Sequence, residues 1–334
     1  MELSELSPAP QLSQVDALAN EALALWELPA GAHARRLNVS ENVTYLVEAP
    51  GGWKSVLRVH RQGYHSPRAI ASELAWSAAL AAEGEVETPA AIAGRDGALI
   101  QRHRHPGRGD DRLLVMFEFL PGSHPGEEDG LAPQFRELGA LAARTHRHAM
   151  SWRRPAGFER LSWDERAVFG PAPVWGDWRA APNVTPAIAA VLERVEATLR
   201  RRLAAFGKSP ERFGLIHADM RLANLLVDNG RIRLIDFDDC GFGWFLYDFA
   251  AAVSFIEDHP QLPALKAAWL EGYRSVRALS AAEEAEIDSF VMLRRLALLA
   301  WIGSHIEAPE PQALAPDFAR ISAELGEAWL RRLG

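Results

Sequence analysis

The stretch His217-Ala-Asp219-Met-Arg-Leu-Ala-Asn224-Leu-Leu-Val-Asp-Asn-Gly230-Arg-Ile-Arg-Leu-Ile-Asp236-Phe-Asp238-Asp239 decides how this chain is read. An apolar run (225–227), a turn (Asp228-Asn229-Gly230) and an alternating run (231–235) predict a β-hairpin. With its centre at Gly230, Asn224 and Asp236 are expected nearly opposite each other at the open end. Facing Cβ atoms there lie roughly 4.5–5.5 Å apart. An amide oxygen and a carboxylate at that separation can share one small hard cation, and magnesium takes such ligands while keeping waters and substrate phosphates. Asp219, five residues before Asn224 on the entering loop, is placed to reach a substrate hydroxyl beside the metal. A base, a metal amide and a metal carboxylate are the parts that phosphoryl transfer needs.

Two patterns, H-x-D-x-x-x-x-N over 217–224 and D-x-D over 236–238, resemble the catalytic and metal loops of the kinase-like phosphotransferases. That superfamily includes aminoglycoside phosphotransferases, choline kinases, bacterial homoserine kinases and a bacterial stress-response Ser/Thr kinase. The plain alternative is a surface turn with chance acids, and the hairpin between two motifs at the right spacing tells against it. The resemblance spans roughly residues 35–305. It implies an α+β, protein-kinase-like bilobal fold, with ATP and Mg²⁺ as cofactors. It also implies that Asp219 and Asn224 are catalytic, Asp219 as base, and that Asn224, Asp236 and Asp238 serve the metal. Asp239 stays ambiguous. His217 is expected to buttress the catalytic loop and Asp248 to tie down its backbone.

Composition narrows the partners. The 334 residues carry a formal charge of −8, which tells against a nucleic-acid role. An acidic balance suits a cationic substrate without demanding one. The single cysteine, Cys240, allows neither an intrachain disulfide nor a Cys-rich zinc site. The start Met1-Glu-Leu-Ser-Glu-Leu lacks the basic and apolar regions of a signal peptide. The apolar stretch 290–302 is too short to span a membrane and contains Arg294 and Arg295. A cytoplasmic protein is expected.

Three parts are expected along the chain: an N-terminal extension or helix (1–34), a nucleotide-binding lobe (35–120) and a helical lobe with the catalytic and metal loops (121–334). Strands are read at 42–48, 55–60, 98–101 and 113–119, and a helix at 69–82. Leu120-Pro-Gly-Ser-His-Pro-Gly126 breaks the pattern as a linker. Beyond it, apolar periodicity predicts helices at 134–148, 188–206, 245–257, 264–278, 282–305 and 318–333, with the hairpin as the one exception.

On the nucleotide side, no G-x-G-x-x-G occurs. The resemblance instead implies a short phosphate loop at Ser40-Glu41-Asn42, where backbone N–H groups and the Ser40 and Asn42 side chains could cradle oxygens. It places Arg58 where the family usually has Lys, fifteen residues before its expected partner Glu73. Arginine offers a planar fork suited to phosphate or carboxylate. Met116-Phe-Glu-Phe-Leu-Pro121 resembles the adenine-holding hinge, with backbone groups of Glu118 and Leu120 on the base edge and Met116 behind. Exposed strand and helix residues, or an ordinary strand end, are the competing explanations.

The His- and Arg-rich stretches 102–105 and 144–148 read as solvated surface, since His146 and His148 point to different helix faces. Trp152, Trp163, Trp175 and Trp178 read as a packed inter-helix cluster. A small hydroxyl-bearing acceptor with an amine is the expected substrate, its ammonium met by some of Asp239, Glu257, Asp258 and Glu307, or by Trp244 or Trp301. A Ser/Thr protein kinase of the stress-response type and a non-catalytic nucleotide-binding regulator are the rival readings.

Overall fold

β-Branched and aromatic side chains run through Val43-Thr-Tyr-Leu-Val47, a pattern that fits a pleated, half-buried surface. In the computed structural model, which describes residues 8–39, 42–104, 111–125 and 130–333, this becomes β2 (Val43–Ala49) of an antiparallel sheet. β1 (His33–Val39) and β3 (Trp53–Val59) flank it. The chain divides into two compact units. The first takes Met1–Ala81, Thr88–Pro121 and Arg154–Glu159, and the second takes Ala82–Glu87, Gly122–Arg153 and Arg160–Gly334.

In the first unit, β4 (Ala91–Ile92), β5 (Ile100–Arg104) and β6 (Asp111–Glu118) complete the sheet in the order β1-β2-β3-β6-β4, with β5 also paired to β6. The two-residue period of β6 sends its side chains to two cores. Leu114 and Met116 join Tyr45, Val47 and Leu57 against Val15, Leu18, Ala19 and Trp26, from α1 (Pro8–Ala22) and the turn after it. Val115 and Phe117 pack on Ile70 and Leu74 of α2 (Pro67–Ala82). The N-terminal helix therefore covers one sheet face, where each buried large apolar side chain contributes about 1.5–3 kcal/mol.

The second unit is mainly helical. α3 (Ala132–Ser151) and α7 (Leu262–Val276) cross so closely that a Cβ on Gly272 would lie 1.8 Å from the Arg136 carbonyl oxygen. Around them stand α4 (Glu165–Phe169), α5 (Pro186–Phe206), α6 (Tyr247–Ala252), α8 (Ala281–Glu284), α9 (Ile287–Ser304) and α10 (Pro309–Leu333). The hairpin of β9 (Leu225–Asp228) and β10 (Arg231–Leu234) forms as expected. The mostly helical lobe is as expected, with three short strands beyond those read from the sequence. β7 (Leu161–Ser162), β8 (Phe213–Ile216) and β11 (Gly241–Trp244) form a second small sheet, β7-β11-β8. These strands are short, and β8 and β11 contain glycine, so they carry little periodicity to read.

Two helix boundaries also move. The helix expected over 245–257 stops at Ala252, and Phe255 adopts φ 72°, which no α-helix tolerates. The segment expected as one helix over 282–305 divides into α8 and α9 at Ala285-Glu286. No Gly or Pro marks that break, so periodicity runs through it. Among the described residues, no helix is long and apolar enough to cross a membrane.

Candidate active site

The hairpin turn consists of Asn229 (φ 51°) and Gly230 (φ 78°), the two left-handed residues of a type I′ turn. Its centre lies between them, so the ladder pairs Leu225 with Leu234 and continues with an Ile235 N–H to Asn224 carbonyl bond of 3.0 Å. Asn224 thus faces Ile235, and Asp236 lies one residue beyond the expected register. Asp236 itself takes φ 62°, a conformation that Asp accepts better than most residues. The direct opposition of Asn224 and Asp236 is corrected to a one-residue offset.

The candidate catalytic loop, 217–224, is held from beneath by a buried carboxylate. Asp248, fully buried in the first turn of α6, accepts from the Ala218 N–H at 2.7 Å and the His217 N–H at 3.2 Å. Ala218 has φ 67°, a cost of about 1–2 kcal/mol for an L-residue, and the bond to Asp248 sets against it. Behind Asp248 stands His146, whose Nε2 lies 2.9 Å from Asp248 Oδ2 and Nδ1 3.0 Å from the Tyr273 hydroxyl. Arg277 donates to that hydroxyl at 2.8 Å. This pattern assigns a neutral imidazole, with Nε2–H on Asp248. Burial pushes the His146 pKa below its ordinary value, against the pull of Asp248.

His217 joins the two loops. Its Nδ1 accepts from the Asp219 N–H at 3.2 Å and its Nε2 donates to the Ile235 carbonyl at 3.2 Å. Burial lowers its pKa as well, so it too stands neutral.

Asp219 is grasped at both carboxylate oxygens. Asn224 Nδ2 donates to Oδ2 at 2.6 Å and to the Asp219 carbonyl at 2.9 Å. Arg294 Nη2 donates to Oδ1 at 2.7 Å. Arg221 approaches Oδ2 at 3.4 Å and pairs with Glu310 at 2.7 Å. With its amide nitrogen committed to Asp219, Asn224 keeps its oxygen Oδ1 as the atom suited to a cation. Oxygen donors on Asn224, Asp236 and Asp238 match the preference of magnesium.

The acidic loop 236–240 is fixed through its carbonyls. Arg160 donates Nε to Cys240 O at 2.6 Å and Nη2 to Asp238 O, and Trp163 Nε1 donates to Asp239 O at 2.7 Å. Asp238 is buried, while Asp236 and Asp239 are half-buried.

In the first unit, Arg58 on β3 and Glu73 on α2 form the expected ion pair, Nη1 to Oε1 at 2.6 Å, with both side chains buried. The Arg58 guanidinium also lies 5.1 Å from the Phe117 ring centroid. Ser40 lies outside the described residues. Asn42 is buried and its Oδ1 accepts from the Arg61 N–H at 3.0 Å, so that oxygen braces the loop after β3. The Glu118 N–H is bonded to Ala90 O at 2.8 Å, which leaves its carbonyl as the group a base could use. Leu120 follows the end of β6 half-buried, and Met116 is a core residue of the sheet.

Several expectations are overturned. His146 and His148 are buried, not solvated, because α3 lies inside the unit. In the other basic stretch, Arg102 and Arg104 are exposed and pair with Asp111, while His105 lies outside the described residues. Trp244 is fully buried, with Nε1 on Gly207 O at 2.7 Å, and cannot wall a substrate pocket. Glu257 is buried against Arg295, so it cannot meet an ammonium. Asp258 and Glu307 are exposed. Trp163, Trp175 and Trp178 are packed as expected, with Trp163 and Trp175 centroids 4.7 Å apart.

Arg294, Arg160 and His146 were missed as residues supporting the site. For Arg294 a signal was available, since an arginine inside an apolar helix is stable only when paired.

A catalytic-type loop, an acidic loop and a strand arginine paired with a helix glutamate define a kinase-like phosphotransferase. The chain belongs to the phosphotransferase enzyme family (APH), whose family model matches residues 33–279. It is similar to the microcompartment-associated aminopropanol kinase, with a TM-score of 0.88 and 46% identity over 95% of this chain and 98% of that one. The amicoumacin kinase of Bacillus subtilis (strain 168) is 30% identical over 185 residues. That match covers 54% of this chain and 52% of the relative, so it spans about half the relative's length. An amicoumacin kinase solved with AMP-PNP, Ca²⁺ and Ami shares the fold, with a TM-score of 0.74 and 21% identity over 95% of this chain and 94% of that one.

Proposed function

We propose that the protein is an ATP- and Mg²⁺-dependent kinase that transfers the γ-phosphoryl group to the hydroxyl of a small amino alcohol, with aminopropanol the first candidate. The observation that carries this reading is the 46% identity to an aminopropanol kinase across nearly the whole chain. The held Asp219 supports it from the chemistry.

Asp219 would accept the hydrogen bond of the acceptor hydroxyl and take its proton as the new phosphate ester forms. Asn224, Asp236 and Asp238 would hold magnesium, which when bound neutralises phosphate charge. Arg58, kept in place by Glu73, would reach the nucleotide phosphates. Asn42 would brace the phosphate loop, with Ser40 beside it, and the Glu118 carbonyl and Leu120 would meet the base.

A 1,2-amino alcohol places its ammonium two bonds from the hydroxyl carbon, so its partner must stand close to Asp219. Asp239, half-buried in the acidic loop that follows the hairpin, is the proposed partner. Compartment is proposed as cytoplasmic.

The test is ADP release over a panel of 1-amino-2-propanol, ethanolamine, L-homoserine, 1,2-propanediol and a generic protein substrate. Amino alcohols should be preferred over the neutral diol, and Asp239→Asn should narrow that preference. Equal rates on amine and diol would overturn the amine reading, and labelling of protein serines alone would favour a protein kinase.

A further inference from the structure

We propose that Arg294 is a positioning residue of the phosphoryl-transfer site, fixing the orientation of the Asp219 carboxylate without touching the substrate. The inference rests on the proposed role of Asp219.

Arg294 occupies the apolar middle of α9 and is 2% exposed. Burying a guanidinium costs several kcal/mol before pairing, and a hydrophobic side chain of similar size often serves stability as well or better. Its presence there therefore calls for a use beyond packing.

The contacts indicate that use. Nη2 donates to Asp219 Oδ1 at 2.7 Å while Nε donates to Ser254 Oγ at 3.2 Å, so one edge of the fork holds the carboxylate and another is anchored. The guanidinium carbon lies 5.2 Å from the Trp175 ring centroid and 5.8 Å from that of Tyr247, which confine it further. Burial works against its charge, while the carboxylates of Asp219 and Asp239 favour it, and the net shift of its pKa is upward.

On the far side, Asn224 Nδ2 holds Oδ2 at 2.6 Å. Held at both oxygens, the Asp219 carboxylate cannot rotate about its Cβ–Cγ bond without breaking a charge-assisted bond. An acceptor hydroxyl thus meets a lone pair whose direction is already set, and no reorganisation is needed at the moment of transfer.

The neighbouring arginine supplies a contrast. Arg295 is equally buried, but it bonds Ser322 Oγ at 2.8 Å and Glu257, which ties α9 to α10 and to the segment after α6. It makes no bond to the catalytic loop among the contacts of the described residues. Two adjacent arginines on one helix thus divide into one that holds helices together and one that holds the base.

A double-mutant cycle tests the proposal. Arg294→Lys and Arg294→Met are made in the wild-type and Asp219→Asn backgrounds, and ADP release is followed with Mg·ATP and 1-amino-2-propanol. In the wild-type background each replacement should lower kcat by about 10²-fold, the scale of a misplaced reacting group. The KM for ATP and the Mg·ATP-induced shift in Tm should stay unchanged. In the Asp219→Asn background the same replacements should alter kcat by no more than about twofold, as expected when one residue acts through the other. Full additivity in that background, or an Arg294→Met enzyme with wild-type kcat, overturns the proposal.

Should the arginine variants fail to fold, Ser254→Ala removes the anchor on Nε and keeps the charge. It should also lower kcat, and an unchanged kcat overturns the proposal. A wild-type protein that phosphorylates no amino alcohol defeats the substrate reading alone. The same cycle is then run on slow ADP release with water as acceptor, in which a slower Asp219→Asn enzyme marks dependence on the same carboxylate.

Discussion

Asp219 gives one carboxylate oxygen to Asn224 and the other to Arg294, so its charge is met by donors before any substrate arrives. A carboxylate held at both oxygens has its direction set, which is what its proposed role toward an acceptor hydroxyl requires. Asp219→Asn preserves shape and removes the charge. The variant should keep its Mg·ATP-induced rise in Tm while kcat falls by about 10²-fold or more, the usual scale for loss of a positioned base. Near-normal turnover would remove Asp219 from the chemistry. The sequence carries this residue legibly because Asp219, Asn224 and Asp236 lie within one short stretch whose spacing encodes their proximity. Arg294 reaches Asp219 across 75 residues, Arg160 reaches Asp238 across 78 and His146 reaches Asp248 across 102. Such contacts are products of tertiary packing, and local spacing holds no trace of them.

At the scale of elements, the hairpin and the strand–helix pair place the proposed site residues. The hairpin was legible from Asp228-Asn229-Gly230, but its register was not, because Asn229 shares the positive φ with Gly230 and moves the turn's centre by half a residue. Gly230→Ala forces a Cβ into φ 78° and should lower stability by about 1–2 kcal/mol in urea unfolding. The turn lies at the end of the hairpin away from Asn224, so kcat per folded molecule should be unaltered. A wild-type urea midpoint would show that the turn relaxes at no cost. The pair Arg58 and Glu73 ties β3 to α2 through two buried charges. Removing either partner strands the other, so Arg58→Ala and Glu73→Ala should each weaken ATP use, and the double variant should be little worse than either single one. Strict additivity in KM for ATP would uncouple the two. Here the family resemblance supplied the pair, and the structure forms it at 2.6 Å. The second small sheet escaped because two- and four-residue strands are too short to show a period.

Across the whole molecule the net charge is −8, yet the second unit buries ionisable groups of both signs, and their protonation links its stability to pH. His146 and His217 are both held neutral by burial, below the ordinary histidine value of 6.5. The unfolded chain therefore takes up these protons first as the pH falls. Their contribution to stability is fully present above pH 6.5 and is lost as the pH drops from there toward the depressed folded values. The slope is about 1.4 kcal/mol per pH unit for each histidine within that window. Glu257 acts with the opposite sign. Burial raises its pKa, so its contribution is present at low pH and lost as the pH rises through the folded value. The wild-type curve sums these effects, and a variant separates them. His146→Asn deletes the imidazole that donates to Asp248, so it should be less stable than wild type at pH 7.5. Between pH 7.5 and 5.5 its urea-unfolding free energy should then fall less steeply than that of the wild type, since one histidine has left the balance. A variant curve that falls more steeply than that of the wild type would mean that His146 is protonated in the fold. The chain Tyr273–His146–Asp248 would then hold the catalytic loop as an ion pair instead of through a neutral imidazole.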